Sequence, residues 1–243
     1  MNKEPKDFLI VSLDVPTLEE SLSIVKELED LVNFYKIGLE LFTRVGPQIV
    51  YTLKDKGKKV LLDLKLHDIP NTVSGAVNAA VRMGVDMLTI HTLGGFEMME
   101  AAQKAVWNKR LSTPIILGVT ILTSLDEAFL KDVLGVEKSL KEEVLDLASI
   151  AKSAGLGGVV ASPFEVSLVK ERCGKEFLVA TPGIRPESVD KDDQKRFATP
   201  SLAIRSGADY LIVGRPIIKA KNMVKVTENI IKEIENELLQ KTS

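Results

Sequence analysis

Val60-Leu61-Leu62-Asp63-Leu64-Lys65-Leu66-His67-Asp68-Ile69-Pro70-Asn71-Thr72-Val73 reads as a strand that runs through a tight turn into a helix. Asp63 and Lys65 are two residues apart, which on a strand puts them on one face, roughly 7 Å from each other at ~3.3 Å per residue. Leu62, Leu64 and Leu66 then point the other way, so one face is core and the other a charged site. Ions are seldom placed in apolar surroundings without a partner, because desolvation costs several kcal/mol per ion. A surface ion pair on an edge strand is the plainer reading. The run Val60-Leu61-Leu62 speaks against it, since it contains no polar residue to keep the strand at an edge. Asp68-Ile69-Pro70-Asn71-Thr72 turns sharply into an Ala-rich apolar helix, as a strand-to-helix loop does at the active face of a barrel.

Working outward, short apolar runs alternate with amphipathic stretches from end to end. Strands are expected at residues 8–13, 34–38, 59–63, 87–91, 115–119, 157–160, 177–180 and 210–213. Helices are expected at residues 18–31, 46–56, 73–83, 140–154 and 223–239. Several helices end on a glycine suited to a C-cap: Gly57, Gly84, Gly155 and Gly207. Strand and helix repeated eight times read as a parallel α/β protein, and eight units in about 240 residues match the (β/α)8 TIM barrel, here one domain spanning residues 1–243. The runner-up is an open doubly wound sheet. Its Gly-x-Gly-x-x-Gly loop is missing after the first strand, where Asp14-Val15-Pro16-Thr17 stands instead. Residues 190–196 form a polar loop after the seventh strand, suited to a lid.

Composition narrows the function. The chain has 243 residues, 45% hydrophobic and 27% charged, with 32 basic against 34 acidic residues and a formal net charge of −2. No basic excess exists to attract nucleic acid or a membrane surface. The apolar run at residues 8–13 is too short for a signal peptide or a span. One cysteine, Cys173, rules out an internal disulfide and fits a reducing cytoplasm. His67 and His91 are the only histidines, too few with one cysteine for an ordinary zinc site; oxygen-ligand metals stay open.

Catalytic groups of such barrels sit at the carboxyl ends of the strands. Those positions hold Asp14, Lys36, the Asp63–Lys65–Asp68 set, His91-Thr92, then Thr120, Thr123 and Ser124. They continue with Thr181-Pro182-Gly183-Ile184-Arg185 and Gly214-Arg215-Pro216. The loops after strands seven and eight commonly hold a phosphate, and Gly214 with Arg215 supplies backbone approach and a bidentate cation. Gly-Arg-Pro alone is more often a plain turn, Asp14 alone a strand end or N-cap, and Lys36 alone a strand-edge lysine. His91 reads as a hydrogen-bonded barrel histidine rather than a base. Two carboxylates and two lysines converging on one mouth are a different matter: opposite charges in alternation favour the charged form of each.

The pattern Asp63-x-Lys65-x-x-Asp68-Ile69-Pro70-x-Thr72 resembles the signature of the orotidine 5′-monophosphate decarboxylase family. The similarity continues through Ser-Leu-Asp14, Lys36-Ile-Gly, Leu122-Thr123-Ser124, Thr181-Pro182-Gly183-Ile184-Arg185, Gln194 and Val213-Gly214-Arg215. The Asp-x-Lys-x-x-Asp core alone is shared with relatives such as 3-keto-L-gulonate-6-phosphate decarboxylase; the full set is more specific. The resemblance implies a cytoplasmic homodimer with active sites at the subunit interface, working on a nucleotide without metal or organic cofactor. It implies that Asp14 and Lys36 hold the ribose hydroxyls, joined by Asp68 and Thr72 of the partner subunit, with Ile69 serving the same neighbouring site. Thr123 and Ser124 would contact the pyrimidine. Gln194, Gly214 and Arg215 would take the phosphate, with Pro182 and Arg185 on the phosphate side. Loss of CO2 from C6 of orotate leaves a carbanion that no adjacent carbonyl delocalises. An ammonium fixed close to C6 stabilises it, and Lys65 suits that task and the later proton donation. Two other classes compete: a metal-assisted sugar-phosphate decarboxylase or aldolase, against which Lys36 stands where a metal would want a carboxylate, and a catalytically silent nucleotide-binding barrel, against which Lys65 stands.

Overall fold

The computed structural model describes residues 3–107, 113–186 and 197–242. Eight parallel strands follow one another in chain order and close into a (β/α)8 TIM barrel: β1 (Leu9–Ser12), β2 (Phe34–Ile37), β3 (Lys59–Leu66), β4 (Met87–His91), β5 (Ile115–Val119), β6 (Gly158–Val160), β7 (Leu178–Thr181) and β8 (Tyr210–Val213). The seam is β1 against β8, with Ile10 opposite Ile212. Around it run α1 (Leu18–Glu27), α2 (Leu39–Val45), α3 (Gln48–Asp55), α4 (Pro70–Met83), α5 (Gly95–Trp107), α6 (Glu127–Asp132), α7 (Leu140–Ser153), α8 (Val166–Cys173), α9 (Pro200–Arg205), α10 (Arg215–Ile218) and α11 (Met223–Thr242). Among the described residues no helix is long and apolar enough to cross a membrane.

Strand parity decides what lies inside. Ile10, Phe34, Leu61, Met87, Leu117, Ala180 and Ile212 form one apolar layer inside the barrel. Their neighbours Val11, Tyr35, Val60, Leu62 and Leu88 face outward into the larger core under the helices. Side chains of a strand alternate, so the residue two further on also points inward, one layer nearer the carboxyl ends. Those next residues are Ser12, Lys36, Asp63 and Thr89: an apolar floor gives way within a single step to a polar layer. Below the floor the Lys3 ammonium lies over the rings of Phe8 and Tyr210, at 4.0 and 3.5 Å from their centroids.

Two matching clamps tie strand pairs together at the amino ends. Asp86, just before β4, accepts from the Val60 N–H of β3 at 2.7 Å and from Lys54 of α3 at 2.7 Å. Asp209, just before β8, accepts from the Val179 N–H of β7 at 2.7 Å and from Lys170 of α8 at 2.7 Å. The same device recurs four strands apart, once in each half of the barrel.

Several element bounds differ from those read in the sequence. The helix expected at 18–31 ends at Glu27, and α2 had no counterpart in the reading. The helix expected at 73–83 begins at Pro70, whose fixed φ and missing N–H suit a first turn, so Asn71 and Thr72 are helical. The strand expected to stop at 63 continues to Leu66, and its alternation is broken on the way. Leu62 pairs with Leu88 and Leu66 with Ile90, so β3 advances four residues while β4 advances two. Lys65 sits in this bulge with φ 50°, the only non-glycine positive φ among the described residues. The loop expected at 190–196, and Gln194 with it, lies outside the described residues.

Candidate active site

The polar layer opens into a cavity of about 290 Å³ at the carboxyl ends of the strands. Its floor is a chain of alternating charges. Ser12 donates to Asp14 Oδ2 at 2.7 Å. Lys36 Nζ donates to Asp14 Oδ1 at 3.1 Å and lies 3.4 Å from Asp63 Oδ2. Lys65 Nζ donates to both oxygens of Asp63 at 2.9 Å. Thr89 closes the set, donating to Asp63 Oδ1 at 2.9 Å and accepting from the Lys65 N–H at 2.9 Å.

Electrostatics follow from that geometry. Asp63 is 8% exposed. Burial is the largest single influence on it and would raise its pKa. The charges of Lys36 and Lys65, with hydrogen bonds from Lys65 and Thr89, together outweigh burial and hold the carboxyl below the usual carboxylate range. Removing Asp63 would take the shared buried counter-charge from both lysines; breaking a fully buried pair costs about 3–5 kcal/mol, and the remaining Asp14–Lys36 contact and the partial exposure of Lys65 reduce the loss here.

Two glycines make room for the chain of charges. A Cβ on Gly38 would come within 2.9 Å of Lys36 Nζ, and one on Gly214 within 3.1 Å of Asp14 Oδ2. Gly214 thus brings the backbone close to the Asp14 carboxylate at the turn into α10.

Most of the residues expected at the site line this one cavity: Asp14, Lys36, Asp63, Lys65, Thr123, Ser124, Pro182, Arg185, Gly214 and Arg215. Arg185 is buried, and its guanidinium carbon lies 5.7 Å from the centre of the Phe197 ring. Asp68, Ile69 and Thr72 are not brought there. All three are exposed, Asp68 and Ile69 on the turn into α4 and Thr72 in its first turn, and Asp68 Oδ1 accepts from the Ile69 N–H at 2.7 Å. Thr92 and Thr120 turn away as well, donating to the carbonyls of Val119 and Val160 at 2.8 and 3.0 Å. His91 is the hydrogen-bonded barrel histidine expected: its Nδ1 accepts from the Leu93 N–H at 3.3 Å and its ring stacks on His67. Burial, then His67 and Lys65, push its pKa down.

Ser12 and Thr89 were given no role in the sequence reading. Parity could have found both, since each is a lone hydroxyl in an apolar strand, two residues past an inward apolar side chain. No group of three or more His, Cys, Asp or Glu among the described residues is placed to hold a metal ion.

A family model described as "Orotidine 5'-phosphate decarboxylase / HUMPS family" matches residues 7–230. A protein of Moorella thermoacetica named orotidine 5'-phosphate decarboxylase is 47% identical over 234 residues, covering 95% of this chain and 93% of that protein. A second of the same name from Carboxydothermus hydrogenoformans is 49% identical over 233 residues, covering 95% and 97%. The crystal structure of orotidine 5'-phosphate decarboxylase from Lactobacillus acidophilus superposes with a TM-score of 0.83 at 38% identity, covering 93% of this chain and 98% of that one.

Proposed function

This chain belongs to the orotidine 5'-phosphate decarboxylase / HUMPS family, and from that premise we propose that it converts orotidine 5′-monophosphate to uridine 5′-monophosphate and CO2 in de novo pyrimidine biosynthesis. The observation that carries this reading is the Lys65 ammonium, held by both oxygens of a buried carboxylate at the floor of the cavity.

In this reading the C6–carboxylate bond breaks and CO2 leaves, with the electron pair remaining on C6. Lys65 stabilises the growing charge where water is scarce and electrostatics are strong. It then gives a proton to C6 and regains one from solvent. Asp63 lies beside the departing carboxylate and positions Lys65. Asp14 and Lys36 bind the ribose hydroxyls, Thr123 and Ser124 the pyrimidine, and Gly214, Arg215 and Gln194 the phosphate, with Pro182 and Arg185 beside it. Phosphate binding far from C6 supplies energy usable at the transition state. No metal or organic cofactor takes part.

We assign Asp68, Ile69 and Thr72 to the site of a partner subunit in a cytoplasmic homodimer. Support comes from their position: all three lie outside their own cavity, and Ile69 is a large apolar side chain 67% exposed. Leu93 and Phe96, after the neighbouring strand, are also exposed apolar residues.

The test is ultraviolet absorbance of orotidine 5′-monophosphate with chelator-treated protein. Steady loss of the substrate band, with no turnover of a keto-sugar phosphate, is the expected result. Turnover of the sugar phosphate that stops on chelation would replace this reading with the metal-assisted one.

A further inference from the structure

We propose that Thr89 is a positioning residue of the decarboxylation site, its hydroxyl fixing both the carboxylate of Asp63 and the backbone of Lys65. The proposal rests on the functional reading above and extends it to a residue on β4 that touches no part of the cavity surface.

Thr89 points into the barrel one layer above Met87 and is fully buried. A hydroxyl has one proton to donate and lone pairs to accept with. Here the proton goes to Asp63 Oδ1 and a lone pair takes the Lys65 N–H, both at 2.9 Å. The second bond answers the bulge. In a parallel ladder a strand N–H meets a carbonyl of the next strand. Where β3 gains two residues on β4, that register is lost, and the Thr89 side chain takes the place of a backbone acceptor for Lys65.

One oxygen therefore ties together the two halves of the reacting pair. It holds Lys65 in its left-handed conformation from the amide side. It also fixes the rotation of the Asp63 carboxylate, so that both oxygens face Lys65 Nζ. Valine matches threonine in shape and keeps neither bond. It would leave the part-buried Lys65 N–H without this acceptor and the Asp63 carboxylate held by the two lysines alone.

The experiment compares Thr89→Val, Thr89→Ala and Thr89→Ser with the wild-type protein in steady-state turnover of orotidine 5′-monophosphate across pH. Fold is checked by circular dichroism. In the valine and alanine variants kcat falls about tenfold to a hundredfold, the range expected for losing a buried hydrogen bond to a charged group. KM changes little, because the ribose and phosphate contacts are untouched. The acid limb of the kcat profile moves to higher pH, since the ionised carboxylate has lost a donor. Serine keeps the hydroxyl and restores kcat to within about threefold of the wild type, in line with so small a change in packing.

Unchanged kcat and an unmoved acid limb in the valine variant would overturn the proposal. So would a serine variant as impaired as the valine one. If neither hydroxyl-free variant folds, the hydroxyl serves the fold and the proposal also fails. A wild-type protein that leaves the nucleotide untouched would overturn the functional reading and this one together, whereas an active wild type with unaffected variants overturns this one alone.

Discussion

Lys65 holds a left-handed backbone conformation that costs a non-glycine residue about 1–2 kcal/mol. Hydrogen bonds from its amide to Thr89 and from its ammonium to Asp63 offset that cost. The sequence made the pair legible, because Asp63 and Lys65 share parity in an otherwise apolar run. It did not make the bulge legible. Nothing in a Leu-Lys-Leu string marks a lysine that leaves the β region, and glycine or asparagine would be the usual signal. Asp63 sets the pH response of the pair. Its ordinary pKa is 3.8 and the fold lowers it. Below 3.8 and above the folded value the unfolded chain binds more protons, so stability rises with pH through that window. The contribution is complete above about pH 4 and is lost as pH falls through the folded value. Thermal unfolding midpoints of wild type and Asp63→Asn should therefore converge or cross as the pH drops below about 4. A constant difference from neutral pH down to that range would mean that Asp63 is not held ionised by its neighbours.

Elements were legible to the extent that their apolar runs were. β4, β5 and β8 have the bounds expected, because each is a short apolar run closed by a turn. α2 was missed because Leu39-Glu40-Leu41-Phe42 follows Gly38 directly and buries only Leu41 in full, too weak a stripe to stand out. The two aspartate clamps could not be read at all, since each joins residues some thirty positions apart. They predict a measurable pair of effects. Asp86→Ala frees the Val60 N–H and Lys54; Asp209→Ala frees the Val179 N–H and Lys170. Each should lower unfolding free energy by about 1–3 kcal/mol. Because the clamps share no partner and sit in opposite halves of the barrel, the double variant should lose close to the sum. Denaturant unfolding of the three variants measures this. A double variant no worse than either single one would show that the clamps are not independent.

At the scale of the whole molecule, the barrel and the cavity come from one chain, while the set of site residues proposed above draws on two. Ten of the residues expected at the site meet in a single cavity, because the carboxyl ends of eight strands converge there. Asp68, Ile69 and Thr72 could be matched to a motif but not placed, since no periodicity within one chain says whether a loop folds over its own cavity, and in the structure these three do not line it. The proposed chemistry requires Lys65 of one subunit and Asp68 of another to act together. Co-expression of Lys65→Ala and Asp68→Ala chains under separate tags allows the mixed dimer to be purified and its turnover of orotidine 5′-monophosphate measured beside both parents. In a two-fold dimer the mixed species keeps one intact site out of two, so it should run at about half the wild-type rate while both parents are nearly inactive. A mixed dimer no faster than its parents would rule out the shared site, and a Lys65→Ala parent that keeps more than a small fraction of wild-type activity would rule out Lys65 as the proton donor.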